Sequence, residues 1–60
     1  MNAWKLKYKK VGHFATMTNW MDEPTARNWF SQLKADSSCD WAELIYNDEE
    51  DDILMDEFVR

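Results

Sequence analysis

Sixty residues with a net charge of −5, one cysteine and one histidine allow a single domain with a small core. They exclude an internal disulfide, and Cys39 with His13 cannot fill a four-ligand zinc site of the Cys/His kind. Four tryptophans, three phenylalanines and two tyrosines exclude the aromatic-poor composition of disordered chains, while the acidic balance repels nucleic acid and anionic membranes.

Trp4, Leu6 and Tyr8 alternate with Lys5, Lys7 and Lys9. This period of two predicts a strand with one apolar and one cationic face. Lys10-Val11-Gly12-His13 reads as a turn, with Gly12, the only glycine, free to take a positive φ. Phe14 to Trp20 should return as a second strand and complete an N-terminal hairpin.

Asp22-Glu23-Pro24 is a helix-start signal, because an acid can cap open N–H groups and proline is tolerated in the first turn. Ala26, Trp29, Phe30 and Leu33 follow at i, i+3, i+4 and i+7 and share one stripe, expected to be core. The predicted helix runs from about Pro24 to Ala35 and ends at Asp36-Ser37-Ser38. Trp41 to Tyr46 and Ile53 to Val59 are the third and fourth strands. The loop between them holds five adjacent acids, Asp48 to Asp52, whose repulsion should keep it mobile unless a partner or cation holds it.

The order is β-β-α-β-β over residues 1–60: a single α+β domain, one antiparallel sheet with one helix packed on one face. One helix covers one face only. Strand three offers Ala42, Leu44 and Tyr46 on one side and Trp41 and Ile45 on the other. Strict alternation gives strand four Leu54 and Phe58 on one side, with Ile53, Met55 and Val59 on the other. The uncovered face is therefore expected to serve as an interface, with a second copy or another protein.

From Asp36 to Glu57 the chain carries ten carboxylates and no lysine or arginine, whereas the first thirteen residues carry four lysines and no acid. The lysines should act as counter-charge within the sheet, neutralising strand acids such as Glu43, Asp56 and Glu57. Solvation is the plain reading of the acidic stretch as a whole, Asp36, Asp40, Glu43, Asp48 to Asp52, Asp56 and Glu57. A sharper one is an imitation of a phosphate backbone, offered to a protein with a basic surface. Calcium is disfavoured: Asp48, Glu50 and Asp52 have alternate spacing, but Ile53 stands where an EF-hand needs glycine and Val59 where it needs glutamate.

No constellation nominates an enzyme. His13 beside the turn has no partner acid in view. Cys39, a small and partly buried residue on this reading, lies between Asp36 and Asp40, which disfavour thiolate. One glycine builds no phosphate loop. No cofactor or metal is expected.

The chain resembles, in type and not in motif, the small acidic accessory proteins of phages and mobile elements that act by binding host enzymes. The expected function is that of a non-enzymatic binding protein that inhibits or modulates a larger, possibly nucleic-acid-processing, protein. Its contact residues would be Asp48, Glu49, Glu50, Asp51, Asp52, Asp56 and Glu57, with Trp41 as apolar anchor. The alternative is an obligate homodimer that buries the second sheet face. No apolar run approaches the ~20 residues of a membrane span, and lysines interrupt any apolar leader core at the N-terminus. With a lone thiol, this points to a cytoplasmic protein.

Overall fold

The computed structural model describes residues 2–60. Its elements are β1 (Trp4–Lys10), β2 (Thr16–Met17), α1 (Glu23–Ala35), β3 (Cys39–Asn47) and β4 (Asp52–Val59). The strands form one antiparallel sheet in the order β2-β1-β3-β4, so the fold is the expected α+β arrangement.

β1 and β3 form the long central pair, with Trp4 opposite Tyr46, Leu6 opposite Leu44 and Tyr8 opposite Ala42. These residues share the face that α1 covers. Ala26, Phe30 and Leu33 of the helix close over Trp4, Leu6, Ala42, Leu44 and Cys39, with Tyr8, Tyr46 and Phe58 at the margin. Phe30 meets Phe58 edge-on at 5.7 Å and Trp4 meets Tyr46 at 5.0 Å, within the range where aromatic pairs add to simple burial. Trp29 lies on the helical stripe but not in the core. It remains 38% exposed and leans on Tyr8, at 6.3 Å. Cys39 is fully buried within the cluster rather than partly so, and its Sγ–H donates to the Trp41 carbonyl at 3.3 Å.

Helix α1 is bounded by side-chain chemistry. The Asp22 carboxylate accepts the Thr25 N–H at 3.1 Å, and Pro24 sits in the first turn. Glu23 and Lys34 oppose the helix dipole at its two ends. At the C-terminus the last carbonyls would lack partners. Arg60 partners two at this end, its Nη2 donating to the Lys34 and C-cap Asp36 carbonyls, while its Nε donates to that of Cys39 at the start of β3, each at 2.9 Å.

Two irregularities alter the expected strands. The second strand was predicted over Phe14 to Trp20, but regular pairing is confined to Thr16–Met17. Gly12 does take φ +80° in the connecting turn. Beyond Met17 the Thr18 N–H donates to the Leu6 carbonyl, while Thr18 Oγ1 accepts the Leu6 N–H. Pairing then resumes between Met21 and Trp4. Asn19 and Trp20 therefore stand where one residue would oppose Lys5, and the extra residue interrupts the strand.

The second irregularity is a bulge in β4. Leu44 pairs with Asp56 but Ile45 pairs with Leu54, which leaves Met55 as the extra residue. Strict alternation consequently fails across it. Phe58, Asp56 and Ile53 fall on the helix-covered side of the register, and Val59, Glu57, Leu54 and Asp52 on the open side. Ile53 and Leu54 are thus exchanged relative to the faces expected from the sequence.

Candidate functional site

The β3–β4 connection is built by Asn47 and Asp48. Asn47 Oδ1 accepts the Glu49 N–H at 3.0 Å, and Asn47 Nδ2 donates to Asp52 Oδ1 at 2.9 Å. Asp48 Oδ1 accepts the N–H groups of Glu50 and Asp51, at 3.3 and 2.9 Å. The Asp48 N–H donates to the Asp51 carbonyl at 3.1 Å. Asn and Asp side chains commonly replace backbone partners in turns this way, so the loop has a hydrogen-bonded form without glycine or proline. Glu49 takes φ +84°, a left-handed conformation unusual for a residue other than Gly, Asn or Asp.

The side chains of Asp48, Glu49, Glu50 and Asp51 project from this tip, all exposed. None makes an ion pair within 4.0 Å among the described residues. Asp52 differs. Lys5 Nζ lies 3.0 Å from its Oδ2, and the bonds from Asn47 and Lys5 hold its carboxyl below the usual range. The tip acids therefore number four, with Asp52 tied into the sheet beside them.

Three of the four N-terminal lysines, Lys5, Lys9 and Lys10, act as internal counter-charge, but not to the expected acids. Lys9 pairs with Asp40 at 2.8 Å and Lys10 with Asp36 at 3.2 Å. Glu43, Asp56 and Glu57 have no such partner among the described residues. Lys7 lies directly opposite Glu43 in the register, and Glu43 opposite Glu57, yet no ion pair forms within 4.0 Å. Lys9 and Lys5 reach acids at the starts of β3 and β4, and Lys10 reaches the C-cap of α1. Asp36 is the most perturbed carboxyl, lowered to about 2 by the Ser38 hydroxyl, then the Ser38 N–H, then Lys10.

The remaining predicted contact residues are dispersed. Asp56 and Glu57 occupy opposite sides of β4. The Asp56 carboxylate accepts the Glu57 N–H at 2.8 Å. Trp41 is half-buried on the open face, opposite Lys9 and Val59. It lies six residues along β3 from Asn47, about 20 Å at the usual strand rise, so it cannot anchor a contact centred on the tip.

The aromatic near the tip is Trp20, which the sequence pattern marks only as a strand residue. It is 45% exposed, with Lys5 Nζ 4.5 Å from its ring centroid. An open cleft of about 450 Å³ lies between Trp20, Tyr46, Asp48 and Glu49. The two-for-one pairing opposite Lys5 places Trp20 there. A period-two reading carries no signal of that extra residue.

The open face is a mosaic rather than an apolar sheet. Across the strands the rows read Lys9, Trp41, Val59; then Lys7, Glu43, Glu57; then Lys5, Ile45, Leu54. Ile45 is only 8% exposed although no helix covers it. Its neighbour Lys5 has a side chain only 11% exposed, as when a lysine stem lies along apolar surface and keeps its charged end at the rim.

His13 is exposed in the turn after β1. Among the described residues no three His, Cys, Asp or Glu side chains cluster closely enough to hold one metal ion, and no helix is long and apolar enough to cross a membrane. Searches of protein families, curated proteins and solved structures gave no significant match to this chain.

Proposed function

We propose that this chain is a non-enzymatic binding protein that modulates a larger protein through its acidic β3–β4 end. The observation that carries this reading is the contrast between two sets of carboxylates. Asp36, Asp40 and Asp52 have lysine partners, whereas Asp48, Glu49, Glu50 and Asp51 stand together at one tip with none. A basic surface on a partner supplies the counter-charge this tip lacks. Its field accelerates encounter more than it adds affinity. Trp20, beside the tip, offers the amphipathic aromatic contact in which binding energy concentrates. A channel that otherwise holds a phosphate backbone is one surface of the required kind.

Affinity capture from the source cells tests this reading. Wild-type protein and a Glu49→Gln/Glu50→Gln/Asp51→Asn variant, which keeps Asn47 and Asp48 to form the turn, serve as paired baits. The reading predicts a protein with a basic surface retained by the first and depleted on the second. Equal retention by both baits contradicts it.

A further inference from the structure

The sheet has two unlike edges. The β2 edge is two residues long and irregular beyond Met17. The β4 edge has no strand partner from Asp52 to Val59, eight residues, and of its N–H groups that of Glu57 is held by the Asp56 carboxylate, which an incoming strand would displace. Long open edges invite pairing with another chain, and proteins blunt them with charge and bulges. β4 carries both devices: Asp52, Asp56 and Glu57, and the bulge at Met55. It also exposes Ile53 and Leu54 on opposite sides, 40% and 49% exposed, and Val59 at 79%.

We propose that β4 accepts an extended basic segment of a partner protein as a fifth, antiparallel strand. This rests on the reading of the chain as an acidic binder and adds the manner of contact. The register states what the segment must be. Opposite residues in an antiparallel pair share a face, so positions opposite Val59 and Phe58 are apolar. Those opposite Glu57 and Asp56 are basic. No residue of a regular segment stands opposite Met55, the extra residue of the bulge, and the positions opposite Leu54 and Ile53 are apolar again. Two adjacent cations are needed because Asp56 and Glu57 lie on opposite faces. Backbone bonds then supply affinity, and the alternating side chains supply selectivity. A second copy of the chain is a poor occupant: the only charges its β4 brings are carboxylates, and Arg60 is already bonded to the Lys34 and Asp36 carbonyls at the end of α1 and to that of Cys39 in β3.

The probe is a synthetic peptide, Val-Ile-Arg-Arg-Val-Ile, titrated into the full chain with amide hydrogen exchange as readout. Two further peptides carry N-methyl groups on alternate nitrogens, one in each phase. Charge and composition are matched between these two, but only one phase blocks the nitrogens facing β4. The proposal predicts slowed exchange within Asp52–Val59 and an affinity difference of about tenfold or more between the two phases. Equal affinity of the two phases overturns strand addition while leaving carboxylate-led binding intact. Absence of binding by the unmodified peptide also overturns strand addition, and the capture experiment with the tip variant then judges the acidic-binder reading by itself. Protection of the same amides by self-association, seen as a dimer in sedimentation without peptide, overturns the choice of occupant.

Discussion

Lys5 on β1 reaches past the intervening strand β3 to place its ammonium 3.0 Å from the Asp52 carboxylate at the start of β4. The same ammonium lies 4.5 Å from the Trp20 ring centroid. One side chain thereby ties together β1, the segment after β2 and the acidic hairpin, and its stem lies in the row of Ile45. Lys5→Met, which keeps an unbranched apolar stem, should retain more stability than Lys5→Ala. The latter should lose about 1 kcal/mol. Urea unfolding of both variants measures this; equal midpoints would reduce Lys5 to its charge.

The core is small and centred on fully buried Leu6, Leu44 and Cys39. Leu44→Ala should cost about 2–5 kcal/mol, comparable with the roughly 3–5 kcal/mol a chain of this size commands. The variant is therefore expected to be largely unfolded at 37 °C by far-ultraviolet circular dichroism.

Glu49 at φ +84° stores backbone strain that glycine relieves, offset by glycine's greater freedom in the unfolded chain. Glu49→Gly should raise stability by about 0.5 kcal/mol while removing one tip charge. A fall in melting temperature would mean that the Glu49 side chain contributes more than the structure displays.

Acid sensitivity follows from the lowered carboxyls. Asp36 is held down to about 2 by Ser38 and Lys10, and Asp22 and Asp52 are shifted the same way by Thr25 and by Asn47 with Lys5. A carboxyl with a lower pKa in the folded state binds fewer protons there than when unfolded. Its stabilisation is complete above the ordinary carboxylate pKa of about 4 and is lost as pH falls toward about 2. Asp36→Asn should be less stable at neutral pH and show a shallower decline across that window. Parallel declines for variant and wild type would remove Asp36 as the source.

The helix and β1 were legible because each is stated by local chemistry: the Asp22 cap with its apolar stripe, and the lysine alternation. The faces of β4 were not, since a single extra residue at Met55 reverses the alternation and leaves no mark in the pattern. Trp20 was overlooked for the same reason, through the extra residue opposite Lys5. Lysine partners were misassigned because the register, absent from the linear sequence, decides which acids come within reach. Lys5 thus meets Asp52, which leaves four tip carboxylates without an ion-pair partner, of which Asp48 caps the turn. Trp29 obeys the helical period but sits at the edge of the buried stripe, partly exposed and against Tyr8.

The central claim, that the tip acids steer a basic partner, is tested most directly by association kinetics with the captured protein across a salt series. Wild type should associate several-fold faster than Glu49→Gln/Glu50→Gln/Asp51→Asn at low ionic strength. The two rates should converge as salt screens the field. Superimposable rates and salt slopes for the two proteins would contradict the account.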